Sequence, residues 1–257
     1  PILVMTILLQ KACLMKRNME TKQLAIAVVF AALVCIVTTV FTISIPATNG
    51  YFNIGEAMIY VAALLFGPYV GAFAGGLGSM IADIIVAPIY APGTLVIKGC
   101  EGAIVGFLNK RISVQTSKVK WRIYTAALGL IVGVLLAVTG SIYYSGNFEL
   151  YLGIPPPENP TATGFIPTEI WYLIGALIAL FIILIDFKIE PQTGRKILPV
   201  IAGGIEMAVG YFLYEQIILS TGAIAEIPVN IGQALVGLVI AIPIVTIVLR
   251  SLPQLKS

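Results

Sequence analysis

Histidine is absent from the 257 residues, which removes the commonest general base and the commonest metal ligand. Charge is scarce too, at 11% of residues against roughly a quarter in a soluble domain. The three cysteines, Cys13, Cys35 and Cys100, follow no spaced pattern. Cys35 and Cys100 lie inside apolar runs, so they read as small hydrophobes and not as a disulfide frame or metal site. No G-x-x-x-x-G-K-[ST] loop occurs, so ATP-driven work needs a partner chain. No H-E-x-x-H, no paired D-x-x-x-D on a span and no nucleophile–base couple is present, which disfavours an intramembrane enzyme. No metal or cofactor is expected, and nothing points to nucleic acid.

Apolar residues are what the chain has. They make up 59% of it, and the mean hydropathy is +1.01, a membrane-class composition with no room for a sizeable soluble domain. A span needs about 20 mostly apolar residues to cross roughly 30 Å of hydrocarbon. Candidate spans fall at 22–46 (stopped by Pro46), 54–66, 68–86, 93–109, 122–143, 169–187, 197–219 and 227–249. The tight Gly67-Pro68 turn makes 54–66 and 68–86 a helical hairpin. Residues 144–168 are rich in Pro, Gly and Thr with no helical period and read as a loop. The expected fold is therefore an all-α integral membrane protein, a bundle of about eight transmembrane helices. The chain begins at Pro1, and PILVMTILLQKACLMKR lacks a convincing cleavage site, so Met15 or Met19 is expected nearer the natural start.

Basic residues orient the bundle. Fourteen of the 15 Lys and Arg fall on one side, while 46–54, 87–92, 144–168 and 220–226 hold none. The positive-inside rule places both termini in the cytoplasm. The exception, Lys98, lies within a span. Orientation converts position into depth, and most polar residues then share one outer slab: Glu56, Asp83, Lys98, Glu101, Tyr211, Glu215, Asn230 and Gln233. Only Glu206 sits near mid-membrane. A charge at that depth costs a few kcal/mol and faces a bundle interior, a partner or a cavity.

Each of these residues has a plainer explanation. Lys98 and Glu101, at i and i+3, form a structural pair. Asp83 caps a helix end, and Glu56 is a first-turn acid favoured by the helix dipole. Asn230 and Gln233 bond between helices, and Tyr211 and Tyr214 belong to an interfacial aromatic belt. It is their shared depth on several helices that points to an outward-opening polar pocket. Small residues carry a second signal. Ala27-x-x-x-Ala31, Gly71-x-x-x-Gly75 and Gly102-x-x-x-Gly106 permit close helix approach. Ala25, Ala27, Ala31 and Ala32 together make a smooth face for another protein's helix.

NGYFNIGEAMIYVAALLFGPYVGAFAGGLGSMIADII, followed by APGTLVIKGCEGAIVGFL, resembles the substrate-binding S components of energy-coupling factor (ECF) vitamin transporters, in the riboflavin and hydroxymethylpyrimidine-type branch. The likeness covers about 22–110 and 197–250. It implies a six-helix bundle in the cell membrane that captures a vitamin outside, with a transmembrane coupling subunit and two ATPase subunits as partners. It implies further that the loop Ala47–Asn53 caps the ligand, with Tyr51 and Phe52 stacking on it and Asn53 beside them. Glu101 and Asn230 are expected to line the ligand site, and Ala27 and Ala31 to contact the coupling subunit. The ligand stays open among riboflavin, a pyrimidine and pyridoxine-like compounds.

The chain departs from that pattern at 112–196, an inserted helix pair with a Pro-rich extracellular loop. The expected divisions are 1–21 (cytoplasmic segment), 22–111 (core helices one to four), 112–196 (insertion) and 197–257 (core helices five and six, with a tail). The competing function is an autonomous secondary transporter or channel for a small polar solute, with Glu206 and Asp83 relaying protons or cations. No inverted repeat supports it. The blandest alternative is a protein whose polar groups only assemble a larger complex.

Overall fold

The computed structural model describes residues 2–45, 48, 50–111, 118–152, 157–188, 196–218, 223–252 and 254. Residues 1, 46, 47, 49, 112–117, 153–156, 189–195, 219–222, 253 and 255–257 lie outside the described residues, as do the side chains of Lys11, Cys13, Met15, Lys16, Arg17 and Met19.

Eight helices are described: α1 (Ile2–Val40), α2 (Glu56–Phe66), α3 (Pro68–Val86), α4 (Ala91–Arg111), α5 (Lys118–Tyr143), α6 (Thr168–Lys188), α7 (Ile197–Ile218) and α8 (Ala223–Ser251). They coincide with the eight expected spans to within a few residues, α1 excepted. Five contain stretches long and apolar enough to cross a membrane: Thr21–Val40, Pro68–Val86, Ala91–Arg111, Ile197–Ile218 and Glu226–Ser251. Glu56–Phe66, Gly129–Tyr143 and Thr168–Leu184 are shorter apolar stretches. Large apolar side chains such as Val28, Ile36, Ile85, Leu213 and Ile217 point outward. A soluble protein avoids so large an apolar surface, and a bilayer accommodates it.

The all-α expectation needs one correction. Four strands, β1 (Thr42–Ile45), β2 (Gly50–Asn53), β3 (Gly146–Leu152) and β4 (Ala162–Ile166), form an antiparallel sheet in the order β2-β1-β3-β4. The first span accordingly stops at Val40, and the supposed loop 144–168 contains a hairpin. Each run is short, and TISI reads as the apolar end of a span. GNFELYL alternates Phe148, Leu150 and Leu152 with Glu149 and Tyr151, the period of a strand. Ser44 lies opposite Tyr51 in β2 and opposite Tyr151 in β3, so β1 joins the two hairpins.

Small residues set the helix spacing. Gly67 ends α2 at φ 91°, a backbone conformation that favours glycine, and Pro68 begins α3 with its φ already suited to a helix. A Cβ on Gly71 would lie 2.6 Å from the carbonyl oxygen of Gly102, and one on Gly75 would lie 2.5 Å from that of Lys98. The backbones of α3 and α4 are therefore in direct contact. Gly237 brings α8 as close to Glu56 and Tyr60 of α2. Helices α1 to α4, α7 and α8 enclose an apolar core that includes Tyr60, Val105, Ile201 and Leu238. Helices α5 and α6 pack chiefly on each other, with Gly133 against Gly175, and lean on the rest along α8.

Ala27 and Ala31 are 4% and 8% exposed. They pack inside the bundle, where a Cβ on Gly78 of α3 would meet the Ala31 carbonyl at 2.5 Å. The small-residue motif of α1 is spent on α3, which removes these two alanines from any surface offered to a partner. Ala25 and Ala32 remain exposed.

Candidate functional site

Helix α2 is only 11 residues long, about 16 Å, roughly half the hydrocarbon thickness. The space beyond its first residue, Glu56, is filled by polar side chains from α1, α3, α4, α7 and α8, with the β1–β2 hairpin over them. Lys98 of α4 lies at the floor, 3% exposed. It donates to Glu56 and to the sulfur of Met207 at 2.8 Å, and it pairs with Glu101 Oε2 at 3.4 Å. Its ammonium also lies 5.3 Å from the centre of the Tyr211 ring, within cation–π range. Tyr60 donates to Glu101 Oε1 at 2.7 Å. One buried cation is thus held between two buried carboxylates, the arrangement a low-dielectric interior demands.

Above Lys98 lies a cavity of about 40 Å³, lined by Thr38, Gly50, Tyr51, Asn53, Ser79, Asp83, Tyr90, Thr94, Lys98, Tyr211, Glu215, Glu226, Asn230 and Gln233. That is space for only a few waters. The β1–β2 hairpin is fastened down at its rim. Tyr51 donates to Asp83, Asn53 Nδ2 donates to Gln233 Oε1 at 2.7 Å, and Thr48 bonds Glu226. Tyr90 donates to the Thr48 carbonyl at 2.9 Å. Asn53 turns back as well, accepting from the Gly55 amide at 2.8 Å in the turn that precedes α2. Burial, and after it the Asp83 carboxylate, push the Tyr51 phenol well above its ordinary pKa. Burial and then Glu226 push the Tyr90 phenol upward as well. Both latches keep their protons. Thr94 and Tyr211 share a 2.7 Å hydrogen bond on the far wall.

Eight of the expected site residues line this cavity: Tyr51, Asn53, Asp83, Lys98, Tyr211, Glu215, Asn230 and Gln233. Glu56 and Glu101 do not; they sit behind Lys98 and neutralise it. Phe52 points from the hairpin toward Gly232 of α8 and is not part of the lining. Tyr214 bonds the Ile89 carbonyl at the surface, and Glu206 lies outside the cavity. The sequence reading missed Thr38, Ser79, Tyr90, Thr94 and Glu226. Thr38 and Ser79 are small hydroxyl residues in apolar runs and carry no charge to mark them, but Glu226, two residues before Pro228 at the same depth as Asn230, was there to be found. No group of three or more His, Cys, Asp or Glu suited to a metal occurs among the described residues.

A bundle of membrane-crossing helices with a buried polar cavity beneath a latched lid defines a membrane-embedded solute-binding protein. The family profile for the ECF-type riboflavin transporter S component matches residues 18–184, and the chain belongs to that family. It is a substrate-binding subunit for uptake of a vitamin or vitamin precursor, a multi-pass protein of the cell membrane, and a transporter component instead of an enzyme. Among relatives, an uncharacterized protein of Pyrococcus woesei is 43% identical over 118 residues, 46% of this chain and 73% of that one. The thiamine precursor transporter HmpT of Lactococcus lactis subsp. cremoris is 26% identical over 132 residues, 51% of this chain and 74% of its own.

Proposed function

We infer that the cavity beneath the β1–β2 hairpin holds the captured molecule, a water-soluble vitamin or precursor with a planar heterocycle. The observation that carries this reading is the convergence of polar side chains from five helices and the hairpin on one buried cavity. Polar groups buried in a membrane protein need partners, and a ligand supplies them when it binds. Tyr51 and Tyr211 offer ring faces, and Asp83, Glu215, Asn230 and Gln233 offer hydrogen bonds. Riboflavin follows from the family, a thiamine precursor from HmpT, and a pyridoxine-like ring also suits this wall.

A heterocycle needs far more than about 40 Å³, so loading lifts the hairpin. Tyr51–Asp83, Asn53–Gln233 and Thr48–Glu226 are the bonds that open to admit the ligand and re-form over it. The sheet end faces outward and the basic end, with both termini, faces the cytoplasm. Transport runs through a coupling subunit and two ATPase subunits, and the exposed side of α1, with Ala25, Val28, Val29 and Ala32, is the docking face. Helices α5 and α6 are an addition to a six-helix core made of the other helices.

Vitamin uptake by cells making this chain with and without a coupling subunit and its ATPases tests the assignment. Uptake that needs all of them supports it. Uptake by the chain alone, driven by a pH gradient, identifies an autonomous transporter.

A further inference from the structure

The lid over the cavity is wider than the hairpin latched to it. Strand β1 pairs on one side with β2, which carries the latches Tyr51 and Asn53. On its other side it pairs with β3, Ile43 opposite Leu152 and Ser44 opposite Tyr151. Strand β3 pairs in turn with β4, from Gly146–Ile166 to Leu150–Ala162. Half of this one sheet is therefore built by the segment between α5 and α6. That half is fixed to its helices. Helix α5 ends at Tyr143 and β3 begins at Gly146, while β4 ends at Ile166 and α6 begins at Thr168. Trp171 of α6 donates its indole N–H to the Tyr144 carbonyl at 3.0 Å, and the two rings lie 6.1 Å apart. Farther along, a Cβ on Gly133 would lie 2.5 Å from the Gly175 carbonyl oxygen, and one on Gly129 would lie 3.0 Å from Ile182 Cγ2. Helices in such close contact, joined by a short hairpin, shift as a unit. A displacement of β3 carries α5 and α6 with it.

The seat of that unit on the bundle is looser. It meets the other helices chiefly along α8, where Val132 joins the apolar core around Leu238. Beside this seam an apolar cavity of about 220 Å³ lies between α5, α7 and α8, with Ile131, Leu135, Ala208, Phe212 and Leu235 on its walls. Close packing resists displacement, and a seam with a cavity this large forgoes part of that packing. Lifting the β1–β2 hairpin therefore has two routes. One pulls β1 off β3 and leaves strand donors and acceptors unpaired. The other keeps the sheet whole and slides α5 along an apolar seam, which takes no hydrogen bond with it. We propose, on the capture reading above, that the α5–α6 pair is a gate for the capture site. The four strands lift as one sheet, and the seating of α5 on α8 sets how readily the cavity opens.

Cysteine labelling of the full chain in detergent reads opening without any ligand. In a background of Cys13→Ala, Cys35→Ala and Cys100→Ala, Ser79→Cys places one thiol on the cavity wall, where Ser79 is 5% exposed. A cationic methanethiosulfonate reaches that thiol only when the lid is up. Val132 lies on the α5–α8 seam, about 16 Å along α5 from Tyr143. Adding Val132→Ala is expected to speed labelling on the order of tenfold. Val134→Ala, on the outward face of α5 at 60% exposed, leaves the rate unchanged. Tyr51→Phe removes a latch, so it speeds labelling and calibrates lid opening. Acceleration by Tyr51→Phe but not by Val132→Ala overturns the gate and leaves the lid and the capture site standing. Acceleration by Val132→Ala and Val134→Ala alike is general loosening of α5 and also overturns the gate. If neither Tyr51→Phe nor Val132→Ala changes the rate, the lid falls and the gate with it. Should Val132→Ala not fold, Leu135→Ala on the same seam takes its place.

Discussion

Tyr51 of β2 donates its hydroxyl to Asp83, 32 residues away near the end of α3. The bond ties a strand of the lid to a helix of the bundle, across the top of the cavity. Removing the hydroxyl leaves Asp83 buried with one partner fewer and the lid with one latch fewer. Tyr51→Phe is expected to speed ligand release by on the order of tenfold, read by stopped-flow dissociation. An unchanged off-rate contradicts the latch.

The same phenol predicts a pH profile. The folded state raises the Tyr51 pKa above its ordinary value of 10.0. The stability it contributes is therefore fully present below that value and is lost as pH rises through the folded pKa. Ligand retention governed by this latch is expected to be flat from neutral pH to about 10 and to fall only above it. The profile of Tyr51→Phe lacks the alkaline fall. A decline near neutrality in the parent, absent from the variant, contradicts the assignment.

Lys98 is the floor of the site and the counter-charge of Glu56 and Glu101. Lys98→Met leaves two carboxylates buried without a cation, which destabilises by about 3–5 kcal/mol. Adding Glu56→Gln and Glu101→Gln to that variant removes the uncompensated charge and restores most of the loss. Thermal denaturation in detergent reads both steps. A triple variant no more stable than Lys98→Met contradicts the pairing.

The contact between α3 and α4 holds Asp83 and Lys98 in register. Gly71→Ala places a methyl group 2.6 Å from the Gly102 carbonyl oxygen, so the two helices separate at a cost of about 1–3 kcal/mol. Thermal denaturation measures the loss, and ligand affinity falls with it. A variant as stable as the parent contradicts the direct backbone contact.

Much of this architecture is legible in the residues themselves. Apolar runs of span length locate the helices because the bilayer sets their size, and Gly67-Pro68 marks its turn without ambiguity. Asp83, Lys98, Glu215 and Asn230 stand out because a charge or amide in an apolar run needs a reason. Glu56 and Glu101 are found by the same rule, and they lie against Lys98 without lining the cavity. Sequence shows that an acid shares the depth of Lys98, and only packing shows which side of the lysine it occupies. Three of the strands escape notice because four- and five-residue runs are too short for periodicity to identify, and the seven-residue β3 has the period of a strand but lies in a segment whose Pro, Gly and Thr content reads as loop. Their pairing, Ser44 with both Tyr51 and Tyr151, joins segments about 100 residues apart, a relation with no local trace. Ala27 and Ala31 illustrate a further limit: small-residue spacing announces a close helix contact without saying whether the partner is another chain or, as here, α3.

The account stands most directly on what the cavity holds. Mass spectrometry of small molecules released from the purified chain, beside an Asn230→Ala variant of equal thermal stability, measures it. The account predicts a heterocyclic vitamin or precursor from the parent and its loss from the variant. A parent that releases no small molecule, and binds none from a vitamin panel, contradicts it.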